Sequence, residues 1–231
     1  GMLQAPACLD AFRDLARRGG AEFSFNCKAT NWKQAKGGVV IQLDGEDVYA
    51  GKVVLALGPW MCDAISELGL PLSHRRIPVT YFETAKPKLY QSTDFSVYFG
   101  ATPEGVFAGK PHLDRFGTML VRHDEGENTG PEATNRVVME DDLNQARDFA
   151  DLYLPGLNGG IKSTHVCLYT MTPDSHFIID RHPDLNDLTY ATGFSGHGFK
   201  FAPVVGEVLA DLALDGRSDY PTEFLSAARF G

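Results

Sequence analysis

Apolar residues recur every three to four positions near the start of the chain, at Cys8, Phe12, Leu15 and Ala16, with Arg17 and Arg18 behind them and Gly19 next. That spacing predicts an amphipathic helix with one buried stripe, cations where its dipole favours them, and a glycine stop. Four strand-like segments follow, Glu22 to Trp32, Val39 to Leu43, Asp47 to Tyr49 and Lys52 to Leu57, with Gly37-Gly38 and Asp44-Gly45 at the breaks. Such dipeptides favour tight hairpins, so a small antiparallel meander is expected. Val53-Val54-Leu55-Ala56-Leu57 is unbroken apolar, the mark of a strand covered on both faces; it runs into Gly58 and a helix over Met61 to Leu68.

Past Pro71 the pattern changes. Arg76 to Thr84, Ser96 to Phe99, Gly105 to Gly109 and Gly117 to Val121 read as strands punctuated by proline and glycine, which predicts a second, mainly antiparallel sheet. A helix over Met139 to Tyr153 stops at Pro155-Gly156, Lys162 to Thr170 and Leu188 to Ala191 return to strand, and Pro203 to Leu214 forms a last helix with Val204, Val205, Val208, Leu209 and Leu212 on its buried stripe. The expected class is α+β, in three stretches: residues 1–72 with helix, meander and buried strand; 73–165 with a sheet and one helix; 166–231 returning to the first domain.

Composition narrows the function. At 231 residues and 43% hydrophobic content the chain can bury a core without staples. A net charge of −9 with no Lys/Arg run beyond two residues gives no basic stripe for phosphates, so nucleic acid is not an expected partner. No apolar run reaches the length of a membrane span and no secretion signal is visible, so a cytoplasmic, non-membrane protein is expected. Cys8, Cys27, Cys62 and Cys167 stand singly, which argues against a disulfide framework or zinc site. Gly1 ahead of Met2 reads as a remnant of tag removal, making Met2 the expected start of the reading frame.

The densest chemistry lies in Ala191-Thr192-Gly193-Phe194-Ser195-Gly196-His197-Gly198-Phe199-Lys200-Phe201-Ala202-Pro203. Its glycines permit positive φ or close approach of a flat ligand, and the helix N-terminus behind it favours negative charge; a glycine turn capping a core helix is the plainer alternative. His197 and Lys200 are placed to bind a carboxylate, or Lys200 simply to reach solvent. Cys167, in the apolar run Val166-Cys167-Leu168-Tyr169, is by default a small buried hydrophobe, and His165 two residues earlier makes half of a metal pair with no second half. A dinucleotide-binding G-x-G-x-x-G is absent from the sequence.

Taken in order, Cys167 to Asp174, His176 to Asp180 and Gly193 to Phe201 resemble the sarcosine oxidase and N-methyltryptophan oxidase group of D-amino-acid-oxidase-like FAD-dependent oxidoreductases. Val53 to Trp60, Glu67 to Pro71 and Leu3 to Pro6 are similar to further elements of that group, so the resemblance runs along nearly the whole chain. It implies that residues 1–72 and 166–231 are parts of an FAD-binding domain and 73–165 a substrate domain. It implies covalent FAD through the thiol of Cys167, a flavin-side surface including Gly58, Gly196, Gly198, Phe199 and Lys200, and catalytic roles for His197, Lys200 and His123. The chemistry implied is removal of hydride from the C–N bond of an N-methyl or other small amino acid or secondary amine.

Two departures qualify the resemblance. The strand, G-x-G-x-x-G turn and helix with which the family begins have no counterpart in this sequence, so the chain is expected to be N-terminally truncated relative to the family and weak in non-covalent FAD binding. Matching back from His123 puts Met119 where the oxidases carry an oxygen-activating lysine and Ala108 at a pocket tyrosine, with Lys110 and Arg115 the nearest replacement cations. Two expectations therefore stand: an FAD-dependent amine oxidase or dehydrogenase completed by another segment, or a non-catalytic remnant that folds and self-associates without FAD. Either way, an exposed core surface covered by a homodimer or partner chain is expected. A plain small-molecule binder using His197 and Lys200 is a third reading.

Overall fold

A computed structural model describes residues 1–112, 117–157 and 159–231. The chain runs through α1 (Ala5–Arg18), β1 (Ala29–Ala35), β2 (Gly38–Leu43), β3 (Glu46–Ala50), β4 (Val53–Leu55) and the short α2 (Met61–Ala64). It continues through β5 (Ser73–Phe82), β6 (Tyr98–Thr102), β7 (Gly105–Lys110), β8 (Thr118–Arg122), β9 (Glu127–Thr129) and α3 (Glu140–Tyr153), then β10 (Ile161–Met171), β11 (Ile178–Arg181), β12 (Leu188–Thr192) and α4 (Ala202–Leu214). The mixed helix-and-strand class expected from sequence is the one observed. Two compact units divide the chain, one of Leu3–Leu72 with Thr170–Gly231, the other of Gly1–Met2 with Ser73–Tyr169.

In the unit of Leu3–Leu72 with Thr170–Gly231, β1, β2 and β3 form the predicted antiparallel meander, with hairpins closing at Ala35↔Gly38 and Leu43↔Glu46. A second sheet has the order β11-β12-β4, in which β12 pairs parallel with β4. Val53, Leu55, Ile178, Leu188 and Tyr190 pack from one face of it against Met61, Ile65 and Val39. Ile179 and Ala191 pack from the other face against Val205, Val208, Leu209 and Leu212 of α4, the stripe read from the sequence. The strand expected to be covered on both faces is covered on one and a half: β4 lies at the sheet edge, and Val54 is 44% exposed.

Helix α1 departs further from expectation. Its amphipathic stripe is intact in sequence, yet none of its residues is buried, and Leu9, Phe12 and Leu15 are exposed. Periodicity reports a face that needs cover, and among the described residues it finds little: of the stripe only Cys8 and Ala16 are half-buried. The strand expected from Glu22 begins instead at Ala29, because Asn26 takes a positive φ of 56° that breaks extension.

The other unit is built on a sheet of order β10-β5-β8-β7-β6, with β9 pairing β5. The β5–β8, β5–β9, β7–β8 and β6–β7 pairings are antiparallel, as expected. α3 covers one face: Phe149, Ala146 and Ala150 pack with Phe82, Tyr90, Phe107 and Leu120, and the Phe107 and Phe149 rings stack at 3.9 Å. Glu140, Asp141 and Asp142 in its first turn suit the positive end of the helix dipole, and Asp142 accepts the Met139 N–H at 2.8 Å. Asp142 also forms a bidentate pair with Arg76, whose side chain is only 5% exposed.

Candidate functional site

The opposite face of the larger sheet carries the cysteine. Directly opposed residues of an antiparallel pair share a face, so Tyr81↔Met119↔Lys110 and Val79↔Val121↔Ala108 form two rows across β5, β8 and β7. Ile77, Val79, Tyr81, Ala108 and Val121 are buried there, and Met119, Cys167 and Tyr169 pack against them. β10 delivers His165, Cys167 and Tyr169 at alternate positions, which a strand turns to one side. Burial pushes the Cys167 thiol up, with Arg136 pulling the other way, so it is a protonated thiol at neutral pH. Burial, and then proximity to Cys167, pushes the Tyr169 phenol up to about 12.

His123 reaches this face from the end of β8. Its Nδ1 lies 3.3 Å from the Tyr169 hydroxyl, and its ring sits between Tyr169 at 5.4 Å and Phe99 at 5.0 Å. Lys110 arrives through strand pairing: it lies across from Met119, with Nζ 5.2 Å from the centre of the Tyr81 ring. The Tyr81 ring is 5.5 Å from His165, whose pKa is lowered by burial and then by the charge of Lys110. Arg115 lies outside the described residues. At the level of sequence His165 reads only as half of a metal pair and neither Tyr81 nor Tyr169 was singled out, although a spacing of two from Cys167 already places Tyr169 and His165 on its side of the strand.

The glycine turn belongs to the other unit. β4 and β12 run parallel, in the register Val53↔Leu188 to Leu55↔Tyr190, so Gly58 and Gly193 leave the same end of the sheet. The carboxyl ends of parallel strands are where α/β folds seat ligands. Gly193 takes φ 66°, and a Cβ there would meet Thr172 Cγ2 at 2.4 Å, so the position requires glycine. Ser195, buried at φ 48°, is held in that left-handed conformation by its own bonds: its N–H donates to the Thr170 carbonyl at 2.9 Å and its Oγ to the Gly193 carbonyl at 3.1 Å. Next to it, Thr192 Oγ1 is buried without a partner among the described residues.

His197 and Lys200 are both committed to this turn. The His197 Nδ1 lies 3.0 Å from the Ser195 carbonyl and so donates to it, leaving Nε2 for a ligand, while the ring packs 5.0 Å from Phe177. Lys200 donates to the His197 carbonyl at 2.8 Å, and its Nζ lies 5.0 Å from the Phe201 ring. A cleft of about 240 Å³ opens here between His197, His176, Phe177, Phe201, Val204 and Phe224. Phe199 is 37% exposed, and Gly198 is packed against Phe194 so closely that a Cβ would lie 2.6 Å from its side chain.

Comparison with known proteins places this fold among the FAD-dependent oxidoreductases. The chain belongs to the FAD dependent oxidoreductase family, whose sequence profile matches residues 1–212. It is 35% identical to the monomeric sarcosine oxidase of Bacillus sp. (strain B-0618), over 99% of this chain and 60% of that protein. It is 29% identical to the N-methyl-L-tryptophan oxidase of Escherichia coli O139:H28 (strain E24377A / ETEC), over 100% of this chain and 61% of that one. Among solved structures it is similar to the open form of NikD, an unusual amino acid oxidase essential for nikkomycin biosynthesis, with a TM-score of 0.79 and 25% identity over 94% of this chain and 58% of that chain. The chain thus spans about 60% of the length of these relatives.

Proposed function

We propose that the chain provides the flavin-ring and substrate-facing part of an FAD-dependent oxidoreductase acting on the C–N bond of an N-methyl or other small amino acid. The observation that carries this reading is Cys167, packed beside Tyr169 and Met119 against the buried cluster of Ile77, Val79, Tyr81, Ala108 and Val121. The residues of each unit fit the ring end of the cofactor by themselves: Cys167 would hold the ring covalently, and in the other unit the turn from Gly193 to Lys200, with Gly58, permits close approach of a flat ligand. For the dinucleotide end, no glycine-rich phosphate cradle occurs within the 231 residues. Bound FAD supplies the acceptor for the substrate's hydride. The chain's own residues that would bind and orient a substrate are, in one unit, His123, fixed against Phe99 and hydrogen-bonded to Tyr169, and, in the other, His197, whose Nε2 offers a hydrogen-bonding atom. Met119 stands where the resemblance puts the oxidases' oxygen-activating lysine, and its cross-strand neighbour Lys110 would supply the cation of that row.

The test is covalent flavin. Protein produced with FAD, alone and together with a separately expressed segment bearing a G-x-G-x-x-G turn, is precipitated in acid and resolved on a denaturing gel. Flavin fluorescence should travel with the chain and vanish in Cys167→Ser. A chain that stays colourless in both preparations sinks the proposal.

A second reading is supported by α1 and Val54: exposed apolar surface of this kind drives association, so the chain would self-associate or recruit a partner without flavin. Light scattering on the purified chain should then give a dimer or larger species; a monodisperse monomer argues against it.

A further inference from the structure

Tyr169 of β10 and His123, which directly follows β8, meet on the sheet face of the Ser73–Tyr169 unit. The imidazole is held from two sides: the Phe99 ring stands at 87° to it with centres 5.0 Å apart, and the Tyr169 ring lies at 61° and 5.4 Å. Its Nδ1 is turned to the Tyr169 hydroxyl, 3.3 Å away, so Nε2 is directed away from that residue.

This contact can be made in two ways. Either the hydroxyl donates to a bare Nδ1 and the imidazole proton sits on Nε2, or an Nδ1–H donates to the phenol oxygen and Nε2 is bare. The two differ in what becomes of the hydroxyl proton. Burial, and then Cys167, pushes the phenol up to about 12, so the hydroxyl keeps its proton at neutral pH. Among the described residues that proton has one acceptor, His123 Nδ1. The second arrangement strands the donor, which a partly buried polar group resists; it also makes an acceptor of the phenol oxygen, whose lone pair is drawn into the ring.

We infer that Tyr169 is a positioning residue: its hydroxyl donates to Nδ1 and fixes His123 in the tautomer that carries its proton on Nε2, so His123 meets its ligand as a hydrogen-bond donor. The nitrogen that bears the proton is set by the bond the other one makes. The consequence for chemistry rests on the functional reading above. In an amine-oxidising site, a donor at this place binds an acceptor atom of the substrate, such as a carboxylate oxygen, and takes no proton from the amine while Tyr169 holds Nδ1.

The tautomer is read by proton–nitrogen NMR correlation on the whole chain with isotope-labelled histidine, at about pH 8.5, where an ordinary imidazole is neutral. The His123 signals are those missing from His123→Gln. Wild-type protein should show Nδ1 as a bare nitrogen and Nε2 as a protonated one, with well-separated shifts. Tyr169→Phe keeps the ring contact and removes only the hydroxyl. It should let the proton exchange between the two nitrogens, so that their shifts move towards each other; a Tyr169 that serves packing alone would leave them where they were. The inference is overturned if wild-type His123 carries its proton on Nδ1 or shares it between both nitrogens, or if Tyr169→Phe leaves both shifts unchanged. The wild-type spectrum decides the tautomer even if Tyr169→Phe does not fold. Neither measurement needs flavin, so failure of the covalent link to Cys167 and failure of the tautomer assignment are separate results.

Discussion

Asp142→Asn offers a sharp test of how the unit of Ser73–Tyr169 is held together. The Arg76 guanidinium is 5% exposed and donates to Asp142 through Nη1 at 3.0 Å and Nη2 at 2.8 Å, to the Val137 carbonyl at 2.6 Å and through Nε to the Asn135 carbonyl at 2.9 Å. Asparagine keeps one acceptor, turns an amide N–H₂ towards a guanidinium N–H, and leaves a buried cation without its counter-ion. Breaking a buried pair from one side costs about 3–5 kcal/mol; because the Asp142 side chain is 18% exposed, about 3 kcal/mol is expected. In urea, where small proteins lose about 1–3 kcal/mol per molar, that is a midpoint shift of roughly 1–3 M. Both tryptophans, Trp32 and Trp60, lie in the other unit, so tryptophan fluorescence should barely move while the circular dichroism transition involving α3 moves early. Burial opposes ionisation of Asp142, but the hydrogen bonds from Arg76 and the Met139 N–H outweigh it and hold the carboxyl below its usual range. The native advantage is therefore present above about pH 4, the unfolded value, and is lost as pH falls through the lower folded value. Arg76→Met with Asp142→Leu should recover much of the loss. A cost below about 1 kcal/mol at pH 7, or a wild-type advantage undiminished in strong acid, would refute the assignment of a buried, counter-ion-dependent pair.

Three further outcomes are expected. Gly193→Ala forces a methyl to 2.4 Å from Thr172 Cγ2 at positive φ and should cost about 2–3 kcal/mol, read by tryptophan fluorescence in urea, with Thr172→Ala restoring only the steric part. Cys167, held as a thiol mainly by burial, should alkylate slowly with iodoacetamide at pH 7.5 and accelerate only as pH rises beyond the usual thiol range, as followed by mass spectrometry; rapid reaction at neutral pH would contradict the burial argument. Asp174 is held well below the usual carboxylate range by Arg229, against the effect of burial and with help from the His176 N–H. Since its side chain is 35% exposed, Arg229→Ala should cost only about 0.5–1 kcal/mol, an effect present above about pH 4 and lost as Asp174 protonates.

What the sequence made legible was whatever one local period decides. α4 buries the very stripe its spacing marks, Val205, Val208, Leu209 and Leu212, because β11 and β12 lie beneath it. α1 has a comparable stripe and buries none of it, while Val53-Val54-Leu55 carries the pattern of a fully covered strand and leaves Val54 open at the sheet edge. The same signal thus gave one correct burial and two incorrect ones, since the period fixes which face is apolar and says nothing of whether a neighbour exists to meet it. The three polar residues of β9 gave no alternation to read, and the strand exists because β5 pairs with it through His74, Arg75 and Arg76. The site divides along the same line. Alternation on β10 is enough to set His165 and Tyr169 beside Cys167, but Lys110 joins Met119 through pairing between strands, and Arg76 meets Asp142 from 66 residues away. Those contacts are decided by register, which no single segment encodes. It follows that the uncovered α1 and β4 and the row from Tyr81 to Lys110 pose one kind of question: each is a local pattern whose meaning depends on what is placed across from it. For the row, β7 supplies the answer within this chain. For α1 and β4 the described residues supply little of one, which is why co-expression with a nucleotide-binding segment, and not mutation of the chain alone, is the experiment that separates an incomplete flavoenzyme from a self-associating fold.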